Sequence, residues 1–371
     1  MTMQTRAAVF REIGTPWAIE EITLADPRPT ELLIKLEYAG LCHSDDHNIT
    51  GDYPAPPPIV GGHEGAGKVV AVGEHVTRAA VGDSVFVTST PSCGLCRFCL
   101  DGRGWLCDLN AYVMSGRRPD GTARAHDTKG DPLGTYAQLG TFSEYALVDQ
   151  TQVVPFDAHA MPYDVAAVLS CGVITGWGAA VKAGQVHTGQ VVVVVGTGGL
   201  GMSAVQGARN AGATVVVAVD PVPMKQQAAL KLGATHAVGS VEEAQALVSE
   251  LTRNVMADVA IITVSVLTGD LIGEVNTLVA KGGRTVLTAA ARADADKITL
   301  PISRFLFSAK QLVGNVYGTA TRGDIARLVE QVTAGHIDVA SMITKEYTLD
   351  EVNDGYRDLR DGLTIRGVIR F

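Results

Sequence analysis

The chain predicts an α/β protein in two parts: a doubly wound parallel sheet and, ahead of it, a mainly antiparallel β domain. Three observations carry this. Val191–Val195 is an unbroken run of five valines, long enough for a strand buried on both faces, and a glycine-rich turn follows it. The segments before residue 40 instead alternate apolar and polar residues between Gly and Pro, the pattern of half-buried antiparallel strands. Four of the six cysteines fall within the 15 residues from Cys93 to Cys107, the spacing of a small metal-held lobe.

The valine run leads into Gly196, Gly198 and Gly201 in a G-x-G-x-x-G pattern, with Gly199 and Leu200 inside it. A helical stretch over Leu200–Ala211 follows, then a second apolar strand over Val215–Val219 that ends on Asp220. Strand, glycines, helix, strand and terminal acid in register predict a dinucleotide-binding βαβ unit of Rossmann type. Gly196 serves the tight turn, Gly198 leaves the backbone open to a pyrophosphate, and Gly201 lets the helix pack on the strand. Asp220 suits the adenosine ribose hydroxyls and repels a 2′-phosphate. Pro221 follows it instead of an arginine, so NAD(H) is expected over NADP(H). A glycine-rich turn in an ordinary α/β sheet is the bland alternative.

The remaining repeat continues the sheet. Helices are expected over Met224–Leu232, Val241–Leu251 and Leu271–Ala280. Strands are expected over His236–Val238, Ala257–Ile262, Arg284–Thr288 and Gln311–Val316. The expected domains are 1–172 with 316–371 returning to it, and 173–315. The apolar strand Thr364–Phe371 would complete the β domain.

At 371 residues, 46% apolar and 19% charged, the chain has ample material for two cores. A net charge of −9 without any Lys/Arg run argues against nucleic acid or an anionic membrane as a partner. The first residues lack a signal-peptide core and the apolar runs look too short to span a bilayer, so a cytoplasmic location is expected.

In chain order, strands are expected over Arg6–Phe10, Ile19–Leu24 and Glu31–Tyr38. Cys42, His43, Ser44, Asp45, Asp46 and His47 then form a polar run that cannot be a buried strand and suits the rim of a site. Gly62, His63, Glu64, Gly67, Gly73 and Val76 occupy a G-H-E-x2-G-x5-G-x2-V pattern. This pattern resembles the signature of the zinc-containing alcohol dehydrogenases of the medium-chain dehydrogenase/reductase family, and the resemblance runs over essentially the whole chain. It implies a GroES-like catalytic domain beside the Rossmann domain.

A thiolate and an imidazole are usual zinc ligands, and a catalytic site needs three protein ligands with one position open. The resemblance assigns Cys42, His63 and Cys171 to that zinc, with Glu64 and Asp45 beside it and Asp45 orienting His63. Taken alone, Cys171 reads as a small buried hydrophobe. Cys93, Cys96, Cys99 and Cys107, spaced C-x2-C-x2-C-x7-C, would close a tetrahedral structural zinc site. An iron–sulfur cluster is the rival for four close cysteines. Residues 110–140 read as a long polar loop, either functional or simply solvated.

The resemblance further implies a proton relay from the substrate oxygen through Ser44 to His47 near solvent. It places His43, Thr175, Asp220, Lys225 and Arg366 on the cofactor, where Lys225 and Arg366 would otherwise read as solvated charges. His43 stands where relatives carry Arg and offers the phosphates less charge. Tyr53, Ser89 and Tyr112 map to the substrate pocket. Ser89 replaces a bulky aromatic and predicts room for larger or aromatic alcohols. The substrate is expected in the cleft between the domains.

The expected activity is reversible oxidation of primary or secondary alcohols to aldehydes or ketones, with hydride transfer to NAD. Two zincs per chain and a homodimer or homotetramer are expected with it. Some runs look most like a bacterial subgroup that keeps NAD(H) bound and uses artificial acceptors such as nitrosoanilines. A thiol-adduct formaldehyde dehydrogenase is a further alternative. A zinc-containing structural or binding protein is the non-enzymatic one.

Overall fold

The computed structural model describes residues 2–371. The chain forms two compact units, one running through Cys171 and resuming over Val339–Phe371, the other spanning Gly172–Asp338.

The first unit is built mainly on antiparallel pairing, with Ile59–Val60 parallel to Pro132–Thr135 and Ile343–Tyr347 parallel to Arg366–Arg370. Met3–Phe10, Ala18–Leu24, Ala125–Asp127, Pro132–Thr135 and Ile59–Val60 close into a barrel, which leaves no open edge among them. A second sheet runs in the order Val153–Pro155, Ser84–Val87, Gly65–Val72, Glu31–Leu41, Arg366–Arg370 and Ile343–Tyr347, with Tyr145–Asp149 also on Glu31–Leu41. Arg366–Arg370 pairs antiparallel with Glu31–Leu41. Phe10, Trp17, Phe142 and Tyr356 form one core cluster, with Trp17 edge-on to Phe142 at 5.6 Å. Each such fully buried side chain contributes roughly 1.5–3 kcal/mol.

Residues 110–140 are more than a solvated loop. They supply two barrel strands, and Arg118 and Arg124 both turn inward onto Glu31. Alternation is too short in these strands to be seen in sequence.

The second unit is a six-stranded parallel sheet in the order His236–Val238, Val215–Val219, Val191–Val195, Ala257–Ile262, Val279–Leu287, Gln311–Gly314. Numbered within this sheet the order is 3-2-1-4-5-6, so it reverses at the valine strand, and the glycine turn leaves its carboxyl end. The chain after Gln311–Gly314 stays with this unit to Asp338, later than the boundary expected at 315. The reason is local. Gly318 packs against Gly178 so closely that a side chain on either would overlap backbone, and Asn315 Nδ2 donates to the Thr175 carbonyl at 3.3 Å.

Helical chain over Tyr163–Ala183 is long and apolar enough to cross a membrane by length and composition alone. Of its most apolar window, 78% is buried within the protein, as in a core helix.

Candidate functional site

In the first unit the strand Glu31–Leu41 hands directly into Cys42 and the helix His43–Thr50. The turn before strand Gly65–Val72 carries His63 and Glu64, and Gly62 makes that turn with φ +87, where a Cβ would collide with Phe142. The Cys42 and Cys171 sulfurs, a His63 ring nitrogen and a Glu64 oxygen lie within 4.8 Å of one another. His63 is buried, and its Nε2 has no protein hydrogen-bond partner. Its Nδ1 lies 2.9 Å from Asp45 Oδ2, and Asp45 Oδ1 accepts from the Gly62 amide at 2.9 Å. Asp45 is wholly buried, and its other oxygen already holds the ligand turn. A buried imidazole fixed on one side by a carboxylate, with its other nitrogen facing two thiols, fits a zinc ligand.

The electrostatics agree. The Cys42 thiol is held well below its ordinary value, first by its hydrogen bond with Cys171 and then by the His63 ring despite loss of water. Cys171 is driven well above its value by that same bond and by loss of water. Burial raises Asp45 more than His63 lowers it. Burial works against His63, but Asp45, Cys171 and Cys42 outweigh it and hold the ring well above its usual range.

The Cys93, Cys96, Cys99 and Cys107 sulfurs also lie within 4.8 Å of one another. Cys93 and Cys99 sulfurs are 3.9 Å apart. Ligands at ~2.3 Å around a tetrahedral zinc stand about 3.8 Å apart. Amides of Leu95 and Cys96 donate to Cys93 Sγ at 3.4 and 3.3 Å and so fix the position of that sulfur.

Other expected site residues fall around the first centre. Ser44 Oγ accepts from Cys42 Sγ at 3.7 Å. His47 is buried, 5% exposed, with Nδ1 3.4 Å from Asp52 Oδ2, so it is not the solvent-facing group that the resemblance implied. His43 and Ser89 are half-buried, while Tyr53 and Tyr112 are 48% and 37% exposed. Arg366 is not a solvated charge. It is buried and ion-paired with Glu64. Neither that pairing nor Tyr136, whose ring packs edge-on to His63, was legible in sequence, because each joins residues far apart in the chain.

In the second unit Gly196 has φ +88, and a Cβ on Gly201 would overlap the Gly196 carbonyl oxygen. A Cβ on Gly198 would meet nothing within 4 Å, so this face of the turn is open at the start of helix Gly199–Asn210. Free amides at a helix start over an open backbone suit a pyrophosphate. Asp220 accepts from the Thr197 amide at 2.8 Å and the Val222 amide at 3.0 Å. It thus braces the glycine turn as well as ending its strand. Lys225 sits half-buried on helix Pro223–Lys231, and Thr175 is buried.

Known proteins share this arrangement. Residues 28–158 match the alcohol dehydrogenase GroES-like domain and residues 199–334 the zinc-binding dehydrogenase domain. Over 370 residues, 99% of each chain, the protein is 46% identical to an NDMA-dependent alcohol dehydrogenase of Amycolatopsis methanolica. The chain belongs to the zinc-containing alcohol dehydrogenases of the medium-chain dehydrogenase/reductase family. Among solved structures, this dehydrogenase resembles an alcohol dehydrogenase zinc-binding domain protein from Burkholderia ambifaria (TM-score 0.93, 32% identity, 100% of both chains). It also resembles benzyl alcohol dehydrogenase from Acinetobacter calcoaceticus (TM-score 0.92, 27% identity, 100% of this chain and 99% of that one). In such a dehydrogenase the four-cysteine group fits a structural zinc and the Cys42–His63–Glu64 group a catalytic one.

Proposed function

We propose that this alcohol dehydrogenase is NAD-linked and zinc-dependent, oxidising primary or secondary alcohols reversibly to aldehydes or ketones. One observation carries the reading: the partnerless Nε2 of buried His63 faces the Cys42 and Cys171 sulfurs, while Asp45 fixes the other ring nitrogen. When bound, the metal supplies Lewis acidity to the substrate oxygen and the dinucleotide supplies the hydride acceptor.

The chain's own residues do the rest. Cys42, His63 and Cys171 hold the metal, and Cys93, Cys96, Cys99 and Cys107 hold the second, structural one. Asp45 keeps the His63 tautomer with its proton on Nδ1. Ser44 Oγ accepts the proton of the alcohol hydroxyl as its own hydroxyl proton passes on toward His47. The amides at Gly199, Leu200 and Gly201 bind the pyrophosphate, with His43, Thr175 and Arg366 as further cofactor contacts. Asp220 and Lys225 hold the adenosine ribose, and the Asp220 carboxylate disfavours a 2′-phosphate. Tyr53, Ser89 and Tyr112 line the substrate side. The enzyme works as a cytoplasmic homo-oligomer, a dimer or tetramer.

A second reading, retention of NAD(H) between turnovers, is supported by the identity to a relative named for NDMA dependence. One experiment tests both: absorbance of the purified protein, then benzyl alcohol oxidation with NAD or with a nitrosoaniline acceptor. A clean protein spectrum and strict dependence on added NAD support exchangeable cofactor. A reduced-nicotinamide band surviving gel filtration, with turnover only on the artificial acceptor, supports retention. Absence of turnover in both formats across short and aromatic alcohols defeats the dehydrogenase reading.

A further inference from the structure

Tyr136 lies outside the residues assigned above, yet it touches two of them. Its phenol donates to the Ser44 carbonyl at 3.0 Å, and its ring stands edge-on to the His63 imidazole, centroids 5.5 Å apart at 78°. The side chain is 6% exposed. One residue thus spans the helix turn carrying Ser44 and the ring of a metal ligand, although these come from separate elements.

The backbone that presents Tyr136 is costly. Ala137 and Gln138 follow with φ +53 and +62, two successive non-glycine residues in the left-handed region. Such strain persists only where surroundings over-determine it, and it gathers at sites that need fixed geometry. Here the surroundings do so. Gln152 Nε2 donates to the carbonyls of Ala137 and Thr88, both at 3.0 Å, tying this turn to the segment that carries Ser89. Arg118 donates to the Gln138 carbonyl at 3.2 Å and the Leu147 carbonyl at 2.9 Å while its Nε sits 2.9 Å from Glu31. Gln138 Nε2 returns to the Arg117 carbonyl at 2.7 Å. After the turn, Thr141 donates from its amide to the Gly62 carbonyl at 3.0 Å and from its hydroxyl to the Glu64 carbonyl at 2.7 Å, gripping His63 from both flanks.

We infer that Tyr136 is a positioning residue: held by the strained, braced turn Tyr136–Gln138, it fixes the Ser44 hydroxyl relative to the His63 ring. This rests on the dehydrogenase reading for its consequence in catalysis. A hydroxyl that must accept a proton in line loses efficiency when it drifts, whereas substrate binding by the rest of the pocket does not. The tether therefore acts on kcat more than on KM.

The test is Tyr136→Phe, which keeps the ring on His63 and removes only the bond to Ser44. Turnover is measured per bound zinc, together with Tm and amide exchange of the 43–50 segment by mass spectrometry. The expected result is a kcat lower by on the order of tenfold with KM within about twofold. Exchange over 43–50 should be faster while Tm stays within about 3 °C. In the cobalt-substituted protein the visible band of Tyr136→Phe should match wild type and that of Tyr136→Ala should shift, since only the latter loses the ring against His63. Wild-type kcat in Tyr136→Phe overturns the inference, as does a fall in kcat explained wholly by lost zinc or lost fold. A wild-type chain that oxidises no alcohol defeats the dehydrogenase reading instead. The exchange measurement then decides the tether alone, and unchanged exchange over 43–50 overturns it.

Discussion

Glu64 and Arg366 form an ion pair with side chains 0% and 4% exposed, and Glu64 is the chain neighbour of His63. Burial works against the Arg366 guanidinium, but Glu64, Cys42 and Cys171 outweigh it and keep it charged. Removing one partner of a buried pair leaves an uncompensated charge, which costs about 3–5 kcal/mol. Glu64→Ala should therefore lose stability of that order in urea unfolding. The double variant with Arg366→Met should recover much of it, and strict additivity of the two losses would show the pair to be unimportant.

The two cysteine-bearing groups are separate, so metal should leave them separately. His63→Ala should retain one zinc per chain, abolish alcohol oxidation and leave the four-cysteine lobe ordered. Cys96→Ser should lose the other zinc and become sensitive to proteolysis near Gly102, because the lobe relies on its ligands for order. Metal analysis showing wild-type zinc in either variant would contradict these assignments.

Gly198 and Gly201 should respond differently to the same substitution. Gly201→Ala drives a Cβ into the Gly196 carbonyl and should weaken both the fold and NAD binding. A Cβ on Gly198 meets nothing in the protein, so Gly198→Ala should keep Tm within about 2 °C yet weaken NAD binding roughly tenfold or more. Cofactor titration by fluorescence checks this, and unchanged NAD affinity in Gly198→Ala would place the pyrophosphate elsewhere.

Asp324 predicts part of the acid limb of stability. Burial raises its carboxyl, but hydrogen bonds from Thr321 and the pairing with Lys182 outweigh that and leave it below the usual value. A depressed folded value gives stability that is fully present above the ordinary carboxylate range and lost as pH falls through the folded value. Asp324→Asn should flatten that acid limb without steepening the alkaline one. Thr321→Ala, which removes the other half of the capping box, should cost about 1 kcal/mol.

Ser89 should set alcohol size. Ser89→Phe is expected to lower kcat/KM for benzyl alcohol about tenfold while changing ethanol far less. Equal effects on both alcohols would remove Ser89 from the pocket.

Much of the second unit was legible because its elements are local. Val191–Val195, Val215–Val219, His236–Val238, Val241–Leu251 and Ala257–Ile262 have the bounds expected from sequence. The barrel strands of residues 125–135 were not legible: each is three or four residues long and pairs with chain about 75 to 100 residues away. The family resemblance put His47 near solvent, whereas packing of its helix buries it.

Residue type and spacing determined the parallel sheet and the four-cysteine group, and the family resemblance they carry supplied the group of Cys42, His63 and Cys171. Those depend on ligand chemistry, on glycines where backbone must approach backbone, and on short-range periodicity. Tertiary structure alone decided that Arg366 serves Glu64 and that Tyr136 spans Ser44 and His63. It also decided that the chain to Asp338 stays with the second unit. Each of these is a contact between chain segments distant in sequence, and side-chain direction at long range is fixed only once both backbones are in place.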